Sequence, residues 1–155
     1  MDARAILHIL APEVTPELRA DGFWATMPGL DVRAMADHML ASGARLITLT
    51  AMLDSAEGVR VMYHWDIDGD VVTVSTTATG GKIPTISDIL PGADWVEREI
   101  RDYYALEFEG RAETPTLMLR EGDEPGLFSR TCMVGKECDP AETARAAVAA
   151  KPEGV

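Results

Sequence analysis

Cys132 and Cys138 are the two thiols of this chain, and His8, His38 and His64 are its three imidazoles. Thiolate and imidazole are what zinc and iron–sulfur centres use, but a closed zinc site or a cubane cluster needs about twice as many ligands as the cysteine pair supplies. No other Cys or His lies close to the pair in sequence, so it reads as two reduced thiols in a loop. The remaining chemistry is a nucleophile and base, such as Cys132 with a histidine, because such pairs are assembled in space. Gly80-Gly81-Lys82 approaches a phosphate loop and fails it. Ile83 has no hydroxyl for magnesium, and Thr76 stands where the first glycine is required. No G-x-S-x-G, H-E-x-x-H, G-x-G-x-x-G or EF-hand run occurs.

The whole chain narrows the classes further. Its 155 residues suit one domain with a sizeable core, and 46% hydrophobic with 26% charged residues is ordinary globular composition. With 14 Lys and Arg against 26 Asp and Glu, the formal net charge is −12, which opposes the phosphate recognition a nucleic-acid binder requires. No apolar run is long enough for a bilayer-spanning helix. Met1-Asp2-Ala3-Arg4 opens acidic and His8 interrupts the short apolar run behind it, so the start reads poorly as a signal peptide. Two cysteines fit a reducing compartment. The expectation is a soluble, acidic, cytosolic domain.

The elements that would hold any site follow from periodicity. Asp31 reads as a helix N-cap, followed by Val32, Met35, Ala36, Met39 and Leu40 on one helical face, with Gly43 as the stop. Arg45–Met52, Val59–Asp66 and Val71–Ala78 read as strands. In the second, Val59, Val61, Tyr63 and Trp65 face one way while Arg60, Met62, His64 and Asp66 face the other. Asp68-Gly69 supplies a hairpin turn, and Phe23–Met27 is a candidate fourth strand. Ile86–Leu90 reads as a short helical turn before Pro91-Gly92. The fold class expected is α+β: an antiparallel three- to four-stranded sheet, helices packed on one face, and an irregular C-terminal tail.

The densest charge pattern lies in Trp95-Val96-Glu97-Arg98-Glu99-Ile100-Arg101-Asp102-Tyr103-Tyr104. Asp94 and Glu97 fit a capping box, and Glu97–Arg101 and Arg98–Asp102 are spaced as i,i+4 pairs on a solvated face. Val96, Ile100, Tyr103 and Tyr104 form the apolar stripe, with Glu99 at its margin, where a charge needs a partner. Further on, Asp139-Pro140-Ala141-Glu142 and Ala144–Ala150 read as a short Ala-rich helix ended by Pro152.

The run from Pro91-Gly92-Ala93-Asp94 through Glu97-Arg98-Glu99 and Asp102-Tyr103-Tyr104 to Phe108-Glu109-Gly110 resembles the signature of a known family. That family is the 30 kDa subunit of respiratory complex I (NADH-quinone oxidoreductase), shared with energy-converting [NiFe] hydrogenases and formate hydrogenlyase. The order of strands before it, with Pro84-Thr85-Ile86-Ser87-Asp88-Ile89, agrees as well, and the likeness covers roughly Asp31 to Met118. The family usually has glycine where Ala105 stands and histidine where Arg111 stands. Pro115 and Leu117-Met118 keep the register, and beyond Leu119 the likeness fades.

The resemblance implies a family domain over residues 1–120 with a tail over 121–155. It implies no catalytic, cofactor-binding or metal residues in this chain. Iron–sulfur clusters and a quinone or [NiFe] site would belong to partner subunits. The expected role is a non-catalytic structural subunit of a complex-I-like membrane-associated oxidoreductase. It would brace the large quinone- or [NiFe]-site subunit beside an iron–sulfur subunit, reaching the membrane only through the complex, on the cytoplasmic face. The partner interface is expected at Glu97, Arg98, Glu99, Asp102, Tyr103, Phe108, Glu109 and Arg111. There a basic partner residue would meet Glu99, while Arg98 and Arg111 would meet partner carboxylates or carbonyls. The rival readings are a free-standing adaptor derived from the family and a small enzyme using Cys132 or a histidine.

Overall fold

The computed structural model describes residues 3–54, 58–78, 80–111 and 115–128. Cys132, Cys138 and the expected Ala-rich helix lie outside the described residues. In chain order the elements are α1 (Ala3–Leu10), β1 (Glu17–Arg19), β2 (Gly22–Thr26), α2 (Val32–Ala41), β3 (Arg45–Asp54), β4 (Gly58–Ile67), β5 (Asp70–Ala78), β6 (Lys82–Pro84), α3 (Ala93–Tyr104) and β7 (Glu107–Glu109). The architecture is α+β.

Five strands form the main sheet in the order β1-β2-β5-β4-β3. β3, β4 and β5 make the expected antiparallel meander. Asp68 (φ +53°) and Gly69 (φ +93°) close the β4–β5 hairpin with two left-handed residues, the geometry a tight turn needs to match strand twist. The sheet is wider than expected. β2 joins β5 in parallel, pairing Phe23 with Val72 and Thr26 with Ser75, and β1 adds an antiparallel edge. Gly22 is required where β1 turns into β2: a Cβ there would lie 2.1 Å from the Val71 carbonyl oxygen, and its φ is +132°. β6 and β7 pair in parallel as a separate two-stranded sheet.

β4 shows why the core sits where it does. Val59, Val61, Tyr63, Trp65 and Ile67 are buried, while the residues between them are half-buried. Strand side chains alternate between faces, so one face of β4 meets the helices. Ile6 and Leu7 of α1, Met35 and Met39 of α2, and Ala93 and Ile100 of α3 join Tyr63 and Trp65 in one hydrophobic cluster. α2 ends as its sequence dictates. The Asp31 side chain accepts from the Arg33 and Ala34 amides at 3.1 and 3.0 Å, and Gly43 follows the C-cap at φ +80°.

On the opposite face His64 lies between two hydroxyls, Thr50 Oγ1 at 2.8 Å from Nε2 and Thr73 Oγ1 at 2.9 Å from Nδ1, with Trp24 edge-on at 6.2 Å. Burial lowers the pKa of His64, opposed by the charge of Asp21.

The packing runs past residue 120, where the tail is expected to begin. The Gly126 amide donates to the Asp102 carbonyl at 2.8 Å, and Phe128 stacks on Tyr103 with ring centroids 4.6 Å apart.

Candidate functional site: the α3 signature

α3 is anchored to the sheet at its end, where the Tyr104 hydroxyl donates to the Ala51 carbonyl at 2.9 Å. Its start differs from the expected capping box. Gly92 is the N-cap and contributes no side-chain bond, Asp94 lies inside the first turn, and Glu97 turns away from the helix start. The reason is that better partners exist elsewhere for both carboxylates.

Glu97 is 1% exposed. Its Oε2 accepts from the Thr85 hydroxyl at 2.6 Å and from Arg111 Nη1 at 2.9 Å, and its Oε1 accepts from the Ile86 amide at 2.9 Å. Thr85 has one hydroxyl proton and gives it to Glu97. The Ser87 hydroxyl, 2.8 Å away, must therefore donate to Thr85 Oγ1, which also accepts the Ser87 amide at 3.1 Å. Arg111, whose side chain is 8% exposed, also ion-pairs with Asp94 and donates to the Asp94 carbonyl at 3.3 Å. From the other side, Arg33 donates to the Thr85 carbonyl and forks onto Asp88, all at 2.7 Å. A buried carboxylate with these donors has its desolvation offset by charge-assisted hydrogen bonds.

Asp102 plays the corresponding part on the far side of the helix. It is fully buried, and its Oδ2 accepts from the Leu117 and Met118 amides at 2.7 and 2.8 Å. Arg98 reaches the same segment, donating to the Pro115 and Thr116 carbonyls at 3.2 and 3.4 Å, and lies 3.9 Å from Asp94. α3 thus staples the loop before it and the segment after it onto one body.

Four of the eight expected interface residues are therefore turned inward: Glu97, Asp102, Arg111 and Phe108, which is buried. Arg111 meets carboxylates and a carbonyl as expected, but those of its own chain. Arg98 likewise donates to carbonyls of its own chain. The desolvated carboxylate is Glu97, whereas Glu99 at the stripe margin is half-buried. Tyr103 is half-buried and Glu109 exposed. Sequence reasoning missed Thr85 and Asp94 as partners. It also missed that Glu97 falls on the face of Ala93, Ile100 and Tyr104, at i−4, i+3 and i+7, a spacing that carries the signal.

Ala105 caps α3 at φ +55°, in the left-handed region. Among the described residues no group of three or more His, Cys, Asp or Glu side chains is placed to hold a metal ion, and no helix is long and apolar enough to cross a membrane.

The model of the family described as "Respiratory-chain NADH dehydrogenase, 30 Kd subunit" matches residues 30–126. The chain belongs to that family. It is 37% identical over 68 residues to the C/D 2 subunit of the NADH-quinone oxidoreductase of Aquifex aeolicus, covering 44% of this chain and 11% of that protein. It is also 37% identical over 81 residues to the corresponding C/D subunit of Phocaeicola vulgatus, covering 49% of this chain and 16% of that protein. The match thus spans only a small part of the curated relatives' length. Two solved structures share the fold. The trypsin-resistant fragment of Nqo5 aligns with a TM-score of 0.60 at 20% identity, over 72% of this chain and 97% of that one. A chain of an archaeal membrane-bound sulfane sulfur reductase aligns with a TM-score of 0.66 at 24% identity, over 77% and 75%.

Proposed function

We propose that this chain is a structural subunit of a complex-I-like, membrane-associated oxidoreductase, and that it braces a large partner subunit without taking part in the chemistry itself. The family membership over residues 30–126 carries the reading. The internal staples support it, because Glu97, Arg111 and Oδ2 of Asp102 hold backbone and side chains in place. In this reading the chain binds no cofactor. The clusters and the quinone or [NiFe] site belong to its partners, a large hydrogenase-like subunit and an iron–sulfur subunit, and the chain sits peripherally on the cytoplasmic face.

The partner-facing surface in this reading is the outer side of α3. Trp95, 67% exposed, and Glu99 stand one turn apart on it, with Tyr103 a further turn along. Tryptophan and tyrosine are among the residue types that carry most of the energy in interfaces. Glu97, Arg98, Asp102, Phe108 and Arg111 then fix the shape of that surface from behind.

Affinity capture of the tagged chain from its native cells, in mild detergent, tests the reading. The expected result is a stoichiometric assembly whose larger members carry iron–sulfur absorbance. Recovery of the chain alone, with an enzymatic activity of its own, would overturn it. Glu99→Lys is expected to leave the melting temperature of the isolated chain within about 2 °C, as for a surface substitution. In the capture experiment it is expected to cost assembly, because a cation needed by Glu99 would face a second cation.

A further inference from the structure

β7 is bonded on one side only. Its Glu107 amide donates to the Gly81 carbonyl and its Glu109 carbonyl accepts from the Thr85 amide, both at 2.9 Å. Main-chain groups of successive strand residues point to opposite sides, so the Phe108 N–H and C=O point away from β6. Among the described residues no strand pairs with β7 on that side. An open cleft of about 810 Å³ adjoins β7. The whole stretch from Ala105 to Arg111 lines one wall, and α3 and the Glu124-Pro125 turn line the others. A free strand edge along the wall of a cleft is a template for an added strand.

The charge of the cleft selects the guest. Among its lining residues Glu97 and Arg111 are buried and paired with each other, so the carboxylates a guest would meet are those of Glu107 and Glu109, exposed on β7. Arg111 is nearly buried and already shared between Asp94 and Glu97. Across the small sheet Lys82 faces Glu107 and pairs with it at 2.9 Å, whereas Glu109 faces Pro84, which carries no charge. Glu107 and Glu109 are exposed on either side of buried Phe108, so two carboxylates flank the one β7 residue whose main chain points away from β6.

We propose that this cleft takes an extended, basic segment of a partner protein as a third strand beside β7. The main chain of Phe108 gives and accepts one hydrogen bond each, and Glu107 and Glu109 meet cationic side chains of the guest. The site deepens the partner-binding reading above and rests on it, but concerns a different face from the outer side of α3.

The test uses the full chain and a blocked hexapeptide, Lys-Val-Lys-Val-Lys-Val, with its Glu-for-Lys counterpart as control, followed by amide exchange and chemical-shift titration at low salt. The expected result is binding of the basic peptide only, with the Phe108 amide exchanging about tenfold more slowly at saturation. Glu109→Lys, an exposed change that leaves the core untouched, is expected to weaken binding about fivefold. Peptide binding that leaves the Phe108 amide unchanged would reduce the cleft to a diffuse acidic surface and overturn the proposal. Absence of binding would overturn it too, as would strong protection of the Phe108 amide in the chain without peptide. Each of these failures leaves the native-cell capture result intact, so the loss of this site and the loss of the structural-subunit reading are told apart.

Discussion

Arg111 Nη1 lies 2.9 Å from Glu97 Oε2, with 8% and 1% of the two side chains exposed. The pair joins the segment after β7 to the middle of α3. Its members serve two further contacts, Asp94 on one side and the Thr85–Ile86 loop on the other.

Removing the cation therefore leaves a buried carboxylate with two neutral donors and no counter-charge. Arg111→Ala is expected to destabilise the chain by about 3 kcal/mol, read as a lower midpoint in urea unfolding. The double variant Arg111→Ala/Glu97→Gln should recover part of that loss, because the stranded charge is gone. If the double variant is instead less stable by the sum of the two single changes, the pair is not coupled as described.

The αL cap offers the opposite sign. Ala105 holds φ +55° with a Cβ that disfavours it. Ala105→Gly is expected to stabilise the chain by about 1 kcal/mol. A thermal melt that falls or does not move would show that the helix end tolerates its alanine at no cost.

His64 sets a pH dependence. Its folded pKa lies below the ordinary value of 6.5, because burial disfavours the imidazolium more than Asp21 favours it. The unfolded chain thus binds the proton more readily. The stability from neutral His64 is fully present above about pH 6.5 and is lost as pH falls through the lower folded value. Denaturant midpoints from pH 7.5 to 5 should decline on the acid side, and His64→Gln should flatten that decline. An unchanged slope in His64→Gln would assign the decline to other groups.

Local physics makes part of this molecule legible in its residues. Asp31 and Gly43 bracket α2 because cap and stop act within a turn of the helix they end. The alternation from Val59 to Trp65 identifies the buried face of β4, because side-chain direction is fixed by strand geometry. Asp68-Gly69 determines its own turn. What is not legible depends on residues far apart in the chain. Glu97 looks like a solvated helix charge until Thr85 and Arg111, 12 and 14 residues away, close over it. β1, β6 and β7, three residues each, are too short to show periodicity. The apolar run of α1 is too short to stand out by itself, and only its packing shows that Ile6 and Leu7 make it a core helix.

The parallel pairing of β2 with β5 bears on how the chain is made. Thr26 and Ser75 bond side chain to side chain across 49 residues, and α2, β3 and β4 must be threaded between them. On a ribosome adding about 5–20 residues per second, β2 waits on the order of 2–10 s for its neighbour to emerge. During that interval β2 has β1 and α1 beside it, and its other edge lacks a partner. Order of synthesis and pairing in the sheet therefore diverge: β3, β4 and β5 pair with strands made next to them, whereas β2 pairs with a strand separated from it by three elements.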